Sequence, residues 1–141
     1  MRYYLDTNIL VFLITGQKDE ICRDVKESIF GYENRIMTSS VCVHELIHLY
    51  QIGKLPFKKG VKAPLPSDVL AWLEDMGIEM VVMDKRHLQR FSELSMQSGH
   101  HDPNDRLIIA QAIADKIPLI SSDRKFEWYR KQGLDFVFNE R

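Results

Sequence analysis

The sequence predicts an α/β fold in three layers, a mainly parallel central sheet flanked by helices, within one domain spanning residues 1–141. Three observations predict it. Strand-like and helix-like segments alternate along the chain, the pattern of parallel strands joined by crossover helices. Several strand-like segments run directly into Asp, Ser, Thr or Asn, the residues that cap a following helix. Finally, 141 residues with 45% hydrophobic and 28% charged content are enough for one buried core.

Arg2–Leu5 reads as an opening strand that stops at Asp6-Thr7-Asn8, three capping residues. The apolar run Ile9–Ile14 predicts the first helix, ended by Gly16. A second helix fits Glu20–Phe30, where Ile21, Val25, Ile29 and Phe30 recur at helical spacing. After the turn Gly31–Asn34, Arg35–Thr38 reads as a strand. Ser39 or Ser40 caps the next helix, which carries Val43, Leu46, Ile47 and Tyr50 and ends at Gly53. Leu55–Pro66 contains Pro56, Gly60, Pro64 and Pro66 and is a loop. Ser67 caps a helix to about Met76. Ile78–Met83 is a continuous apolar stretch suited to a buried parallel strand. A helix is expected from Lys85 to about Gln97, then a loop at Gly99-His100-His101. Asp102-Pro103 starts a helix to about Lys116. Pro118–Ser121 is a strand, Asp123–Lys131 a short helix and Phe136–Phe138 a last strand.

Composition limits the function classes. The longest fully apolar run, Ile9–Ile14, is far shorter than the ~20 residues that span a bilayer. The opening residues reach Asp6 without an apolar signal core, so a cytoplasmic protein is expected. Cys22 and Cys42 show no CxxC spacing and are read as reduced, buried apolar residues. A net charge of −1 excludes nucleic-acid binding by bulk positive charge, leaving local basic patches and bound cations as the means.

In open parallel sheets, sites form beyond the carboxyl ends of the strands. Asp6 and Asp123 stand at the ends of two predicted strands, Asp105 in the first turn of a helix, and Glu45 on the helix after the second strand. Each has a bland explanation. Asp6 and Asp123 serve equally as helix caps, Asp105 as a first-turn acid favoured by the helix dipole, and Glu45 as a solvated glutamate. Gathered in one cleft, four carboxylates would repel and raise each other's pKa unless a cation neutralised them. Mg²⁺ or Mn²⁺ prefers such oxygen ligands and suits phosphodiester hydrolysis.

Four segments turn this placement into a family resemblance. Leu5-Asp6-Thr7-Asn8, the helix segment Ser40–Leu46 around Glu45, the run His101–Ala112 and Leu119–Phe126 resemble, in order and spacing, the successive motifs of PIN-domain toxins of the VapC type. The Asp-Pro-x-Asp-Arg-x-x-Ile-Ala-Gln-Ala pattern within 102–112 is the most specific, and Gly53-Lys54-Leu55 also fits. The resemblance implies a PIN-like fold and a metal-dependent endoribonuclease binding Mg²⁺ or Mn²⁺ through Asp6, Glu45, Asp105 and Asp123. It implies supporting roles for Asn8 and Ser121, a VapB-type antitoxin as partner, and a homodimer. Ser121 stands where many relatives have threonine, and Asn104 where they often have an aromatic residue. Asp102 is a possible fifth acid, but its position before Pro103 favours N-capping.

Two rival readings exist. His44-Glu45-Leu46-Ile47-His48 is a literal HExxH, the pattern of zinc metallopeptidases, with Glu74 or Asp75 as a third ligand. That reading leaves Asp6, Asp105 and Asp123 without a role. A non-catalytic PIN-like binding module is the other. For RNA contact, Lys54, Lys58 and Lys59 share a loop with Lys62 and no acid, while Arg124 and Lys125 follow Asp123 directly. Arg106 is expected to pair with a neighbouring acid. Trp72, Trp128 and Tyr129 fit core packing better than base stacking. His100 and His101 read as loop residues, with contact to phosphate as the alternative, and relatives often have histidine in this region.

Overall fold

The computed structural model describes the whole chain, Met1 to Arg141. Strand β1 (Arg2–Leu5) leads into helix α1 (Thr7–Ile14), and a 3₁₀ turn (Lys18–Glu20) precedes α2 (Arg23–Phe30). Strand β2 (Arg35–Ser39) runs into α3 (Ser40–Gln51). After the loop come a 3₁₀ turn (Pro66–Asp68), α4 (Val69–Asp75), β3 (Ile78–Val81) and α5 (Lys85–Glu93). Helix α6 (Pro103–Asp115), β4 (Leu119–Ser121), a 3₁₀ helix (Arg124–Gln132) and β5 (Phe136–Phe138) complete the chain.

All five strands are parallel in the order β3-β2-β1-β4-β5. Strand β1 is central because both its neighbours hydrogen-bond to it: Leu5 pairs with Thr38 on one side and with Ile120 on the other. The chain therefore winds outward in one direction through β2 and β3, then returns to β4 and winds the other way. In open α/β sheets such a reversal marks the crevice where ligands bind, here beyond the carboxyl ends of β1 and β4. Leu5, Ile9, Leu10, Leu119 and Ile120 have no exposed surface and form the floor beneath it. Each such side chain contributes roughly 1.5–3 kcal/mol by leaving water.

The departures from sequence expectation are local. The predicted helix Glu20–Phe30 is broken, because Ile21 is extended and buried. Asn139 explains the break: its Oδ1 accepts from the Cys22 amide at 2.8 Å and its Nδ2 donates to the Glu20 carbonyl at 2.9 Å. Those groups would otherwise need helical partners. Cys22 is consequently only half-buried, whereas Cys42 is fully buried, and both are free thiols. Ser67 lies inside a 3₁₀ turn and caps nothing. Helix α5 stops at Glu93 rather than near Gln97. There Leu94 turns extended into the core, and Gln132 clamps Ser95 by bonds to its amide (2.8 Å) and carbonyl (3.2 Å).

Strand β3 is not the buried strand expected of Ile78–Met83. It is an edge strand that ends at Val81, and Met80 and Val82 face solvent. No helix is long and apolar enough to cross a membrane.

Candidate functional site

Asp6 follows β1 and is buried, 4% exposed, at the mouth of the crevice. Its backbone amide donates to the Ile120 carbonyl, which ties the end of β1 to β4. Its carboxylate caps α1: Oδ1 accepts from the Thr7 amide at 2.7 Å. Its Oδ2 accepts from Ser121 Oγ at 2.7 Å and from Asn8 Nδ2 at 3.3 Å. The cap reading and the site reading of Asp6 are therefore compatible, since one oxygen serves each.

Ser121 and Asn8 hold the two strand ends in register. Ser121 Oγ accepts from Asn8 Nδ2 at 3.1 Å and from the Asp123 amide at 3.0 Å while donating to Asp6. Asn8 Oδ1 accepts from the Ser122 amide. Asp123 then caps the 3₁₀ helix through the Lys125 amide at 2.9 Å, which leaves its second oxygen uncommitted. A short β4 followed by Ser-Ser-Asp allows this, because each small polar side chain can reach a backbone group within two residues.

Asp105 arrives from the first turn of α6. Asp102 caps that helix, its Oδ1 accepting from the Asn104 and Asp105 amides at 2.9 and 3.3 Å. Asp102 thus takes the capping role, while its charge still bears on Asp105. Glu45 sits half-buried on α3, near enough that its charge acts on both Asp6 and Asp105.

The electrostatics are those of crowded acids. Burial pushes the Asp6 carboxyl up to about 7, opposed by the Ser121 hydrogen bond and reinforced by Asp105 and Glu45. Burial also pushes Asp105 up to about 7, reinforced by Asp102, Asp123 and Glu45 and opposed by Lys125. A donor set of buried, mutually repelling oxygens fits a hard divalent cation, which would remove the repulsion.

The tightest metal-capable group is His100, Asp105 and Asp123, whose ligand atoms lie within 4.8 Å of one another. Asp6 and Glu45 stand outside that inner group. The sequence reads His100 as a loop histidine and does not place it against Asp105. It is buried rather than solvated in its loop, with Nε2 3.1 Å from Asp105 Oδ2 and Nδ1 2.7 Å from the Tyr129 hydroxyl. Its sequence signals are its place two residues before Asp102 and the histidine that relatives often have in this region.

The other candidate residues differ in their surroundings. His44 and His48 of the HExxH pattern are exposed, as are Glu74 and Asp75, and neither histidine belongs to a group of three metal-capable side chains. The zinc-peptidase reading therefore lacks a ligand set. Arg106 forms no ion pair; its guanidinium lies over the Phe91 ring, 4.8 Å from the centroid. Lys54 and Lys59 are exposed on the loop, and Lys58 is tied to Asp19 at 3.1 Å. Arg124 packs over Phe138, and Lys125 Nζ reaches the Gly99 carbonyl at 3.4 Å, beside the crevice. Tyr129 is buried, while Trp128 remains 43% exposed.

Residues 3–132 match the family model described as PIN domain. No curated protein matches the chain significantly. Among solved structures, a chain of VapBC2 from Rickettsia felis, bound to a DNA fragment from its promoter, is similar with a TM-score of 0.67. The two share 23% identity over 99% of this chain and 100% of that one. A chain of VapBC-1 from nontypeable Haemophilus influenzae gives 0.68 at 20% identity over 98% of both chains. A chain of DNA-bound VapBC from Salmonella typhimurium gives 0.68, also at 20% identity over 98% of both. At such identities the likeness is one of fold.

Proposed function

The chain belongs to the PIN-domain family, and from that premise we propose that it is a metal-dependent endoribonuclease, the toxin of a VapBC-type toxin–antitoxin pair. The observation that supports this reading is electrostatic proximity: Asp105 and Glu45 act on Asp6, and Asp123 and Glu45 act on Asp105, while burial pushes both Asp6 and Asp105 up to about 7.

Asp6, Asp105 and Asp123 would hold Mg²⁺ or Mn²⁺, with Glu45 completing the acidic set. Such an ion, when bound, supplies Lewis acidity that lowers the pKa of an attacking water and neutralises the leaving oxygen. Hydrolysis adds water across a phosphodiester: its oxygen bonds to phosphorus, the P–O bond to the leaving nucleotide breaks, and the released oxygen takes up a proton. The chain's own residues position that chemistry. Ser121 and Asn8 fix the orientation of Asp6. Lys125 supplies positive charge beside the acids, suited to a phosphate of the substrate backbone. The negative charge of the crevice disfavours RNA until a cation occupies it.

A VapB-type antitoxin and a homodimeric state belong to the same proposal. They rest on the fold shared with chains of VapBC complexes and on the motif order.

The test is cleavage of a mixed RNA pool by the purified protein with Mg²⁺ or Mn²⁺, compared with Asp105→Asn. Cleavage that requires the cation and disappears in Asp105→Asn is expected. Undiminished cleavage by a folded Asp105→Asn protein would overturn the assignment.

A further inference from the structure

His100 sits between the crevice and the core, and its ring protons decide what it does. The ring is 3% exposed and packs against Phe126, Trp128 and Tyr129, with centroids 6.1, 6.5 and 5.4 Å away. Each nitrogen has one hydrogen-bond partner: the Tyr129 hydroxyl at Nδ1 and the Asp105 carboxylate at Nε2. A neutral imidazole carries a single N–H, so the two contacts must differ in polarity. A ring protonated at both nitrogens would donate to each partner and leave the Tyr129 hydroxyl proton without an acceptor.

Two arrangements satisfy that count. In one, Nδ1–H donates to Tyr129 and the Nε2 lone pair joins Asp105 and Asp123 as a metal ligand. In the other, Nε2–H donates to Asp105. Tyr129 distinguishes them. Its hydroxyl is fully buried and has one hydrogen-bond partner, His100 Nδ1. The Arg106 guanidinium, which can only donate, also bears on the Tyr129 oxygen. A buried hydroxyl proton left without an acceptor costs about 1–3 kcal/mol. The Tyr129 proton therefore points at Nδ1, and the ring proton resides on Nε2.

We propose that His100 is a positioning residue rather than a metal ligand, held by Tyr129 in the Nε2–H tautomer so that it donates to Asp105 Oδ2 and leaves the other carboxylate oxygen for the cation. The proposal rests on the reading of Asp105 as a ligand, but its first test does not. It also makes the donor set entirely oxygen, which suits Mg²⁺ and Mn²⁺ alike and gives no advantage to metals that prefer imidazole.

Long-range ¹H–¹⁵N correlation spectra of the labelled, metal-free protein read the tautomer directly, with His100→Gln assigning the signal. The Nε2–H pattern is expected; an Nδ1–H pattern overturns the proposal whether or not the protein is a nuclease. Calorimetric titration with Mn²⁺ supplies the second readout. His100→Leu is expected to weaken binding about 10–100-fold, the usual effect of removing a ligand-orienting partner. His100→Gln, whose amide N–H replaces Nε2–H, is expected to recover most of that loss. Equal losses in both variants, or an imidazole nitrogen coupling in the pulsed EPR spectrum of bound Mn²⁺, would overturn it. Should His100→Leu fail to fold, Tyr129→Phe serves instead: weaker Mn²⁺ binding is expected from a ring no longer held at Nδ1, and unchanged binding contradicts the positioning role. Absence of Mn²⁺ binding in the native protein would sink the nuclease reading while leaving the tautomer result intact.

Discussion

The Ser121 hydroxyl donates to Asp6 Oδ2 at 2.7 Å across the topological switch between β4 and β1. This bond favours the ionised form of a carboxylate whose burial disfavours it. Ser121→Ala removes the donor and also leaves the Asp123 amide without its side-chain acceptor. A stability loss of about 1–3 kcal/mol is expected from chemical denaturation. Mn²⁺ affinity, followed by calorimetry, should fall about tenfold or more, as for other residues that orient a ligand. Ser121→Thr keeps the hydroxyl and should retain both properties; loss in Thr equal to loss in Ala would show that the hydroxyl is not the operative group.

Asp6 and Asp105 give the metal-free protein a defined pH response. Each titrates near 3.8 when unfolded and near 7 when folded. A raised folded pKa means that ionisation destabilises the fold. The penalty is absent below about pH 4, grows as pH rises towards 7, and is complete above it. With chelator present, the urea midpoint should therefore be higher near pH 5.5 than near pH 8, and Asp105→Asn should flatten the difference. Saturating Mn²⁺ should raise the midpoint at pH 8 most. A midpoint in chelator that climbs with pH over this window would contradict the electrostatic account.

The placement of these candidate acids was legible because Asp6 and Asp123 lie within two residues of strand ends and Asp105 follows the cap of α6. Asp6, Asp105 and Asp123 each sit in a short local pattern in which a capping residue meets a strand or helix terminus. His100 was not legible, since its burial is created by Phe126 and Tyr129, more than twenty residues away, and no periodicity marks a loop. The edge position of β3 was hidden for a similar reason. Strand order is non-local, and Ile78–Met83 has the same apolar pattern whether one neighbour or two lie beside it. The break before α2 likewise depends on Asn139, 117 residues from Cys22.

A second histidine is structural. His87 has no exposed surface; its Nδ1 accepts from the Asp84 amide at 2.9 Å, so its Nε2–H donates to Asp115, whose oxygens lie 2.9 and 3.0 Å away. Tyr4 and Arg86 bond the same carboxylate. His87→Ala opens a cavity between α5 and α6 and removes one partner of a buried network. A cost of about 2–4 kcal/mol in denaturation is expected. Cleavage by the folded fraction should be unchanged, because these residues join helix ends away from the acids. Abolished cleavage in a fully folded variant would place His87 in the site instead.

The basic residues separate by their partners. Lys58 is neutralised by Asp19, whereas Lys125 lies close enough to act on both Asp105 and His100. If RNA backbone crosses the crevice, Lys125 meets a phosphate and Lys58 does not. Binding of a fluorescent single-stranded RNA, measured by anisotropy in an Asp105→Asn background at several salt concentrations, reads the difference. Each phosphate contact contributes about 0.7 to the slope of log affinity against log salt for a single strand. Lys125→Ala should reduce the slope by about that amount and weaken binding at low salt. Lys58→Ala should leave both nearly unchanged. The opposite result, with Lys58 carrying the salt dependence, would move the RNA path from the β4 end onto the Leu55–Pro66 loop.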